Sequence, residues 1–300
     1  MKIEEYNRES EILNSGHNAC PGCGAALTVR YLSRALGPNL AMVITASCWS
    51  IIVGVPPLTA LKCPVLHCPF PSAGSVGGGL RRGLTAKGHH DTTVVVLAGD
   101  GGTFDIGLQA LSGAAQRNED YIFICYDNEA YMNTGMQTSS ATPFGARTNT
   151  APYPLFKQGQ KKDIMQIMAA HSIPYAATAT VAFPEDMEHK LRKAKEISGF
   201  RFMHVLSPCP PGWGTESADT INLSRLAVNS NSFPLYEIID GVNWRMTYFP
   251  EKKRTPLKEY LDRQRRFRQV DDSIIDSLQE EVDHDWQKLM ERVKHSLEEK

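Results

Sequence analysis

The sequence predicts an α/β fold: an open, mostly parallel sheet with helices on both faces, followed by a helical C-terminal tail. Four short runs are almost continuously apolar, which is typical of strands that are covered on both faces. These strands are predicted over residues 40–46, 92–98, 121–127 and 201–207. Because helical segments alternate with them, right-handed crossovers within one sheet are expected.

The helices are predicted from apolar residues three and four positions apart. They cover residues 25–36, 105–118, 163–171 and 184–197. Near the C-terminus, apolar residues from Ile275 to Leu297 form one stripe of a longer helix. We divide the chain into a domain over residues 1–240 and a C-terminal extension over residues 241–300. The terminal helix could pack on its own domain or clasp a neighbouring subunit, and we expect the extension to form a subunit contact.

The composition is typical of a globular protein in aqueous solution. The chain has 300 residues, 42% of them hydrophobic and 22% charged, with a formal net charge of −1. This charge gives no general attraction to nucleic acid. No apolar run reaches the roughly 20 residues that a membrane span needs, and the N-terminal segment lacks the apolar core of a signal peptide. We therefore expect no membrane contact and a cytoplasmic location.

The glycine-rich loop after the second predicted strand is the first candidate for a binding site. It reads GDGGTFDIG and places Asp100 at the carboxyl end of a strand, where open α/β sheets bind ligands. A helix predicted to open at Asp105 would offer free N–H groups to an anion. The next strand ends in YDNEAYMNTG, so Asp127, Asn128 and Asn133 are expected at the same edge of the sheet.

A carboxylate, an amide oxygen and a backbone carbonyl suit Mg²⁺, which takes its remaining ligands from phosphate oxygens and water. The two loops therefore favour a diphosphate that is held through Mg²⁺. A dinucleotide site fits less well, because residues 99–104 read GDGGTF and do not match G-x-G-x-x-G. A tight turn without a ligand is the alternative, but the second polar loop, one crossover further on, favours a site.

Seven cysteines in a chain without a predicted secretion signal favour metal or cluster binding over disulfides. Cys20 and Cys23 form a C-x-x-C pair, and Cys48 and Cys209 each follow a predicted strand. Four thiolates can hold a [4Fe–4S] cluster. A zinc site with four cysteines competes, but it would usually contain two C-x-x-C pairs. Ordinary packing is expected for the other three: Cys63, Cys68 and Cys125.

These motifs together resemble the 2-oxoacid:ferredoxin oxidoreductase family, and within it the thiamine-diphosphate-binding β subunit of the pyruvate-type enzymes. GDGGTFDIG and YDNEAYMNTGMQTSSATPFGA resemble the thiamine diphosphate motif of that subunit. GHNACPGCGAAL resembles its start, and SPCPPGW resembles a segment near its end. The resemblance spans roughly residues 16–240, with three separated motifs in the same order.

The resemblance implies a set of residues that hold the cofactor. Asp100 and Asn128 would coordinate Mg²⁺ by their side chains, and Ala130 would do so by its carbonyl. Gly99, Gly101 and the helix that follows would cradle the diphosphate.

Further site residues are implied in the same way. Asn133 and Thr134 would face the thiazolium or the substrate. Trp49 lies in SCWSIIVGVPP, which differs from common versions in the family after the third cysteine, and it could border the cluster or the substrate pocket. His67 matches a histidine of the family and is either a catalytic contact or a structural residue. The [4Fe–4S] ligands would be Cys20, Cys23, Cys48 and Cys209, with Cys48 also beside the cofactor.

The implied function is the oxidative decarboxylation of a pyruvate-type 2-oxoacid by thiamine diphosphate, with electrons leaving through one [4Fe–4S] cluster. The family reaction usually forms acyl-coenzyme A. A partner α subunit would supply the pyrimidine-binding domain and the catalytic glutamate, so the chain is expected to be inactive alone. The family resemblance alone implies further partners: ferredoxin-like and γ subunits. It also implies coenzyme A as a substrate and ferredoxin or another electron acceptor.

Alternatives remain open at this point. The chain departs from the family around His67, where it reads HCPFPSAGSVGGGLRRG, so a branched-chain, aromatic (phenylglyoxylate) or oxalate substrate is also compatible. Two functions of other classes compete: a thiamine-dependent decarboxylase without redox chemistry, and a zinc-containing scaffold subunit.

Overall fold

The computed structural model describes residues 11–55, 57–250 and 254–298. Within these ranges, eight strands form one sheet in the order β2-β1-β3-β4-β6-β5-β7-β8. The strands are β1 (Leu40–Thr45), β2 (Val65–Cys68), β3 (Thr93–Gly99), β4 (Tyr121–Asp127), β5 (Tyr175–Thr180), β6 (Phe200–Leu206), β7 (Tyr236–Ile239) and β8 (Asn243–Met246).

The pairing confirms a mostly parallel sheet. Strands β2, β1, β3, β4, β6 and β5 pair in parallel, whereas β7 and β8 form an antiparallel hairpin that joins the sheet through β5. The four predicted strands, now β1, β3, β4 and β6, are confirmed to within one residue at each end. The other four were missed because they are short or, like the YAATAT strand β5, are built from small and polar residues.

Ten α-helices surround the sheet in the described residues. They are α1 (Gly24–Leu36), α2 (Cys48–Val53), α3 (Ala73–Ala86), α4 (Leu108–Gln116), α5 (Ile164–Ala169), α6 (Pro184–Glu196), α7 (Pro210–Trp213), α8 (Thr220–Asn229), α9 (Leu257–Asp262) and α10 (Asp272–Glu298). None of the helices placed by the structure combines the length and the apolar composition that a bilayer crossing requires.

The glycine-rich helix α3 was not predicted, because glycine is a poor helix former. The structure shows why glycine is needed there. A Cβ atom on Gly77 would lie 2.4 Å from the side chain of Val96 on β3. Helix α3 therefore packs closely on the sheet at the expense of its intrinsic helix propensity.

The predicted start of the helix over residues 105–118 was wrong. Helical backbone begins immediately after Asp100, with a π-helical turn over Gly101–Asp105, and α4 then covers Leu108–Gln116. The amide of Phe104 donates to the carbonyl of Asp100 at 2.7 Å. The first turn of the helical segment therefore follows Asp100 directly, although its glycine pair gives no helical signal in the sequence.

Successive residues of the central strands point to opposite faces and bury two separate apolar cores. Ile44, Leu97 and Ile124 belong to the core that includes α1 and α6. Val43 and Val96 belong to the opposite core, which includes α3 and α4. Helices on both faces of the sheet are thereby confirmed.

Helix α10 packs on its own chain. Leu289 is buried in the apolar core that also includes α3 and α4, and the amide of Trp244 on β8 donates to Oγ of Ser296 at 2.9 Å. Because β7 and β8 form one hairpin, the boundary drawn at residue 240 falls inside the turn between two paired strands. The subunit contact proposed for the C-terminal extension stays a prediction.

Candidate active site

A cleft of about 420 Å³ opens at the carboxyl ends of β1, β3 and β4. These strands are neighbours in the parallel sheet, so the loops that follow them meet at one edge. Phe70 and residues from three segments line the cleft: 46–51, 99–101 and 126–137. The predicted residues Gly99, Asp100, Gly101, Asn128, Ala130, Asn133 and Thr134 all lie on its wall, together with Cys48.

Three polar groups converge in this cleft: the side chains of Asp100 and Asn128 and the carbonyl of Ala130. One end of the Asn128 side-chain amide lies 2.9 Å from the carbonyl oxygen of Ala130 and 3.1 Å from Oδ1 of Asp100. With its nitrogen at that end the amide donates to both oxygens, whereas with its oxygen there a cation can bridge all three oxygens. One carboxylate, one amide and one carbonyl oxygen are ligands that Mg²⁺ accepts, so the donor set fits this ion.

Asp100 is nearly inaccessible, with 2% of its surface exposed. Burial raises the pKa of this carboxyl well above its ordinary value, and the negative charge of Asp127 adds to the effect. A hydrogen bond from Oγ of Ser139 to Oδ2 opposes the rise only partly. A carboxylate buried in this way is stable in its charged form when a cation compensates it.

The glycine loop is shaped to leave the cleft open. A Cβ atom on Gly101 would lie 1.8 Å from the ring of Tyr131, so a larger residue cannot occupy this position without a shift. The hydroxyl of Tyr131 donates to Oδ2 of Asp105 at 2.7 Å, which fixes the ring. The loop backbone at Gly101 is thus held close to the loop after β4.

Close backbone packing brings the C-x-x-C loop next to the segment that carries Cys209. The amide of Gly24 donates to the carbonyl of Pro208 at 3.1 Å. A Cβ atom on Gly24 would lie 2.8 Å from the backbone carbon of Ser207. Only glycine permits this approach, which places Cys23, before α1, beside the segment that carries Cys209.

The four predicted cluster cysteines lie close enough to influence one another. Burial raises the pKa of the Cys48 thiol to about 12, with further contributions from Cys209, Cys23 and Cys20. Burial also raises the pKa of Cys209 to about 11, and Cys23 and Cys20 add to it. In the part of the chain that the structure describes, however, no three His, Cys, Asp or Glu side chains stand at metal-coordinating spacing.

Two predicted residues lie away from the cleft. Trp49 is fully buried in the core beneath α2, and its indole nitrogen has no hydrogen-bond partner among the described residues. His67 is exposed on β2, outside the cleft lining. The three cysteines assigned to ordinary packing are buried: Cys63, Cys68 and Cys125.

Sequence reasoning missed three polar side chains that support the site. Ser139 donates to Asp100, Lys161 donates to Asp127 at 2.6 Å, and Arg266 pairs with Glu129. They come from loops and a short 3₁₀ turn, and neither periodicity nor a motif marks them.

Comparison with known proteins assigns the fold and the family. Residues 64–205 match the model of the thiamine pyrophosphate enzyme, C-terminal TPP binding domain. The pyruvate synthase subunit PorB of Methanothermobacter thermautotrophicus is 48% identical over 292 residues, which cover 96% of this chain and 99% of that protein. The ketoisovalerate oxidoreductase subunit VorB of Pyrococcus horikoshii is 44% identical over 283 residues, covering 92% and 91%.

A solved structure supports the fold independently. The 2-oxoglutarate:ferredoxin oxidoreductase from Magnetococcus marinus superimposes with a TM-score of 0.59 over 75% of this chain and 82% of that one, at 21% identity. The high identity to PorB and VorB over almost the whole length establishes the relationship. The chain belongs to the 2-oxoacid:ferredoxin oxidoreductase family, as a thiamine-diphosphate-binding β subunit.

Proposed function

We propose that this chain, together with an α subunit, oxidatively decarboxylates a pyruvate-type 2-oxoacid with thiamine diphosphate, Mg²⁺ and one [4Fe–4S] cluster. The observation that carries the proposal is the convergence of the Asp100 carboxylate, the Asn128 side-chain amide and the Ala130 carbonyl in a cleft that Cys48 also borders. A diphosphate held through Mg²⁺ at these groups would share one wall of the cleft with a thiol group.

Asp100, Asn128 and the carbonyl of Ala130 would hold the Mg²⁺ that binds the diphosphate. Backbone N–H groups of the turn that begins at Gly101 would contact the diphosphate itself, since they follow Asp100 directly. When bound, thiamine diphosphate supplies the carbon nucleophile and the electron sink that decarboxylation requires. The chain's part is to orient this group against the cleft wall.

The four cysteines at the CxxC loop, the start of α2 and the segment before α7 would hold the iron–sulfur cluster: Cys20, Cys23, Cys48 and Cys209. Cys23, Cys48 and Cys209 are partly buried, and this burial raises their pKa values, so these thiols do not ionise unless a positive centre stabilises the thiolates. An iron–sulfur core provides this stabilisation through four thiolate bonds. Because Cys48 lines the cleft, a cluster on these ligands would lie beside the cofactor, as one-electron transfer from it requires.

An α subunit would complete the site. Thiamine enzymes of this family need a glutamate at the pyrimidine ring, and no glutamate occurs among the described residues that line the cleft. The rim beside α2 is apolar and exposed: Ile51 is 53%, Val55 77% and Leu58 77% accessible. Such a surface supports a protein partner at the mouth of the cleft. Ferredoxin-like and γ subunits, coenzyme A and a ferredoxin-type acceptor are proposed on the family relationship alone.

Asn133 and Thr134 would contact the thiazolium or the substrate, since their side chains are exposed on the cleft wall. His67 stays a prediction. Its exposed ring lies on β2 opposite Ile44 of β1, whose carboxyl end borders the cleft, so an α subunit could enclose it.

Pyruvate is proposed as the substrate because PorB is the relative with the higher identity of the two described above. A branched-chain 2-oxoacid is the second candidate. It is supported by the similarity to VorB and by apolar side chains on the cleft wall: Ile51, Phe70 and Met132.

The proposal is tested with the complex purified without oxygen through a tag on this chain. Reduction of methyl viologen is measured with pyruvate, 2-oxoisovalerate, 2-oxoglutarate, phenylglyoxylate and oxalate, with and without coenzyme A. We expect the highest kcat/KM with pyruvate and a requirement for coenzyme A. Preference for 2-oxoisovalerate would replace pyruvate by the second candidate, and no reduction with any 2-oxoacid by a complex loaded with thiamine diphosphate and iron would overturn the proposal.

A further inference from the structure

The residue between the two proposed Mg²⁺ ligands of the second loop has an unusual backbone conformation. Glu129 lies between Asn128 and Ala130, is 6% exposed and has a φ of 65°. Residues other than glycine rarely adopt this left-handed conformation, because it brings Cβ close to the following carbonyl oxygen. Contacts from elsewhere in the chain must therefore hold Glu129 in place.

Both peptide groups of Glu129 and its carboxylate are held by hydrogen bonds. Its amide donates to Oδ1 of Asp127 at 2.8 Å, and its carbonyl accepts from the hydroxyl of Thr142 at 2.7 Å. Oε1 accepts from Nζ of Lys161 at 3.1 Å, and Oε2 accepts from Nη2 of Arg266. The backbone amide, the backbone carbonyl and the carboxylate of Glu129 thus each have a hydrogen-bond partner.

Arg266 reaches this loop by two routes. Its guanidinium pairs with the Glu129 carboxylate and lies 4.1 Å from the ring centre of Trp213. The indole nitrogen of Trp213 donates to the carbonyl of Asn128 at 2.8 Å. Gln264 orients the guanidinium, because its side-chain oxygen accepts from Nε and Nη2 at 2.9 and 2.7 Å. Arg266 is therefore connected to Glu129 through their ion pair and to the carbonyl of Asn128 through Trp213.

We propose that Arg266 is a positioning residue for the metal-binding loop. Its pair with Glu129 and its stacking on Trp213 align the Asn128 side chain and the Ala130 carbonyl with Asp100. The inference rests on the proposed function, because it assumes that these oxygens bind Mg²⁺ with thiamine diphosphate. Arg266 itself lies in the 3₁₀ turn Arg265–Phe267 and contacts none of the three oxygen ligands.

Arg266 could act on the metal site through its charge or as a support for the ligand loop. The two roles predict opposite effects of its removal on Mg²⁺ affinity, so a measurement can distinguish them. Removal of a positive charge near a cation site would tighten Mg²⁺ binding if charge alone mattered. Removal of a support for the ligand loop would weaken it, as loss of outer partners of metal ligands does by about 10- to 100-fold. A residue with only a general structural role would lower stability and leave the Mg²⁺ affinity of the folded complex unchanged.

The test uses the α–β complex and measures thiamine diphosphate binding by calorimetry as Mg²⁺ is varied. We expect Arg266→Gln to raise the Mg²⁺ concentration for half-saturation by about tenfold or more, and Arg266→Lys to recover part of this loss. Arg268→Gln is the matched control, since it removes the same charge from an exposed position two residues further along. An Arg266→Gln complex with unchanged or tighter Mg²⁺ binding would overturn the inference.

A second variant keeps the test informative if Arg266→Gln does not assemble. Trp213→Phe retains an aromatic ring under Arg266 but removes the donor to the Asn128 carbonyl. We expect it to weaken Mg²⁺-dependent binding by several-fold, and an unchanged affinity would count against the inference. If the wild-type complex itself shows no Mg²⁺-dependent binding of thiamine diphosphate, the proposed function fails as well. Wild-type binding with wild-type-like variants would refute the role of Arg266 alone.

Discussion

The side-chain amide of Asn128 lies 3.1 Å from Oδ1 of Asp100, although the two residues follow different strands. Strands β3 and β4 are parallel neighbours, and Gly99 is in register with Tyr126. The sheet therefore fixes both residues at one edge before any ligand binds. A cation between them would compensate a carboxylate that burial otherwise destabilises in its charged form.

Asp100→Asn should weaken the Mg²⁺-dependent binding of thiamine diphosphate by at least about 100-fold, because it removes the one carboxylate among the proposed ligands. Loss of a residue that only holds a metal ligand in place already costs about 10- to 100-fold in metal affinity. Calorimetry on the α–β complex with and without Mg²⁺ measures this effect. Asp91→Asn makes the same charge change at an exposed position before β3 and should leave binding unaltered. Equal affinities for both variants would remove Asp100 from the metal site.

Gly101→Ala should also impair cofactor binding, because its Cβ would lie 1.8 Å from the Tyr131 ring and displace either the ring or the loop. Gly79→Ala on α3 is the matched control, since its Cβ would meet nothing within 4 Å. That change should stabilise the chain by roughly 0.5–1 kcal/mol, through the lower helix propensity of glycine. Thermal unfolding and thiamine diphosphate binding are measured together, and normal binding by Gly101→Ala would show that the loop tolerates the displacement.

Cys48→Ser should lose most of the iron and the visible absorbance of the anaerobic complex, because serine is a poor substitute for a thiolate ligand. Cys63→Ala changes a buried cysteine that is assigned to packing and should keep the wild-type iron content. Iron and sulfide analysis of both variants measures the difference. Full iron retention in Cys48→Ser would exclude Cys48 as a ligand.

The buried carboxylate of Glu119 should make stability depend on acid pH. Two hydrogen bonds from Arg82, and one from Arg117, hold the pKa of Glu119 below its ordinary value of 4.5. The folded state therefore favours the ionised form, so this stabilisation is present above about pH 4.5 and is lost as pH falls through the folded pKa.

Accordingly, Glu119→Gln should lower the urea midpoint of unfolding at neutral pH, and its difference from wild type should shrink as pH falls below about 4.5. Glu280→Gln, at an exposed position of α10, is the control and should show little effect at any pH. A difference for Glu119→Gln that does not change with pH would contradict this explanation.

The central strands could be predicted because their burial leaves a direct trace in the sequence. β3 and β4 are buried at nearly every position, so their residues form continuous apolar runs. Because both strands were predicted to belong to one parallel sheet, Asp100 and Asn128 could also be predicted to lie at the same edge of it. Helix α3 could not be predicted, because its glycines are selected for close packing on β3 rather than for helix formation.

The support of the site could not be predicted, because it depends on pairs of charged residues far apart in the chain. Arg266 and Lys161 lie in segments that resemble ordinary polar surface in the sequence, yet both contact Glu129. These contacts form only when the loop before α5 and the turn after α9 fold over the end of β4. The positions of Trp49 and His67 outside the cleft could not be predicted either. The fold buries the side chain of Trp49 and leaves that of His67 exposed on β2.

The most direct measurement is the content of thiamine diphosphate, iron and zinc in the complex of this chain with its α subunit alone, purified without oxygen in buffer containing Mg²⁺. If the proposed function is correct, we expect one thiamine diphosphate and about four iron atoms per copy of this chain. Zinc in place of iron, or a complex without thiamine diphosphate, would contradict it.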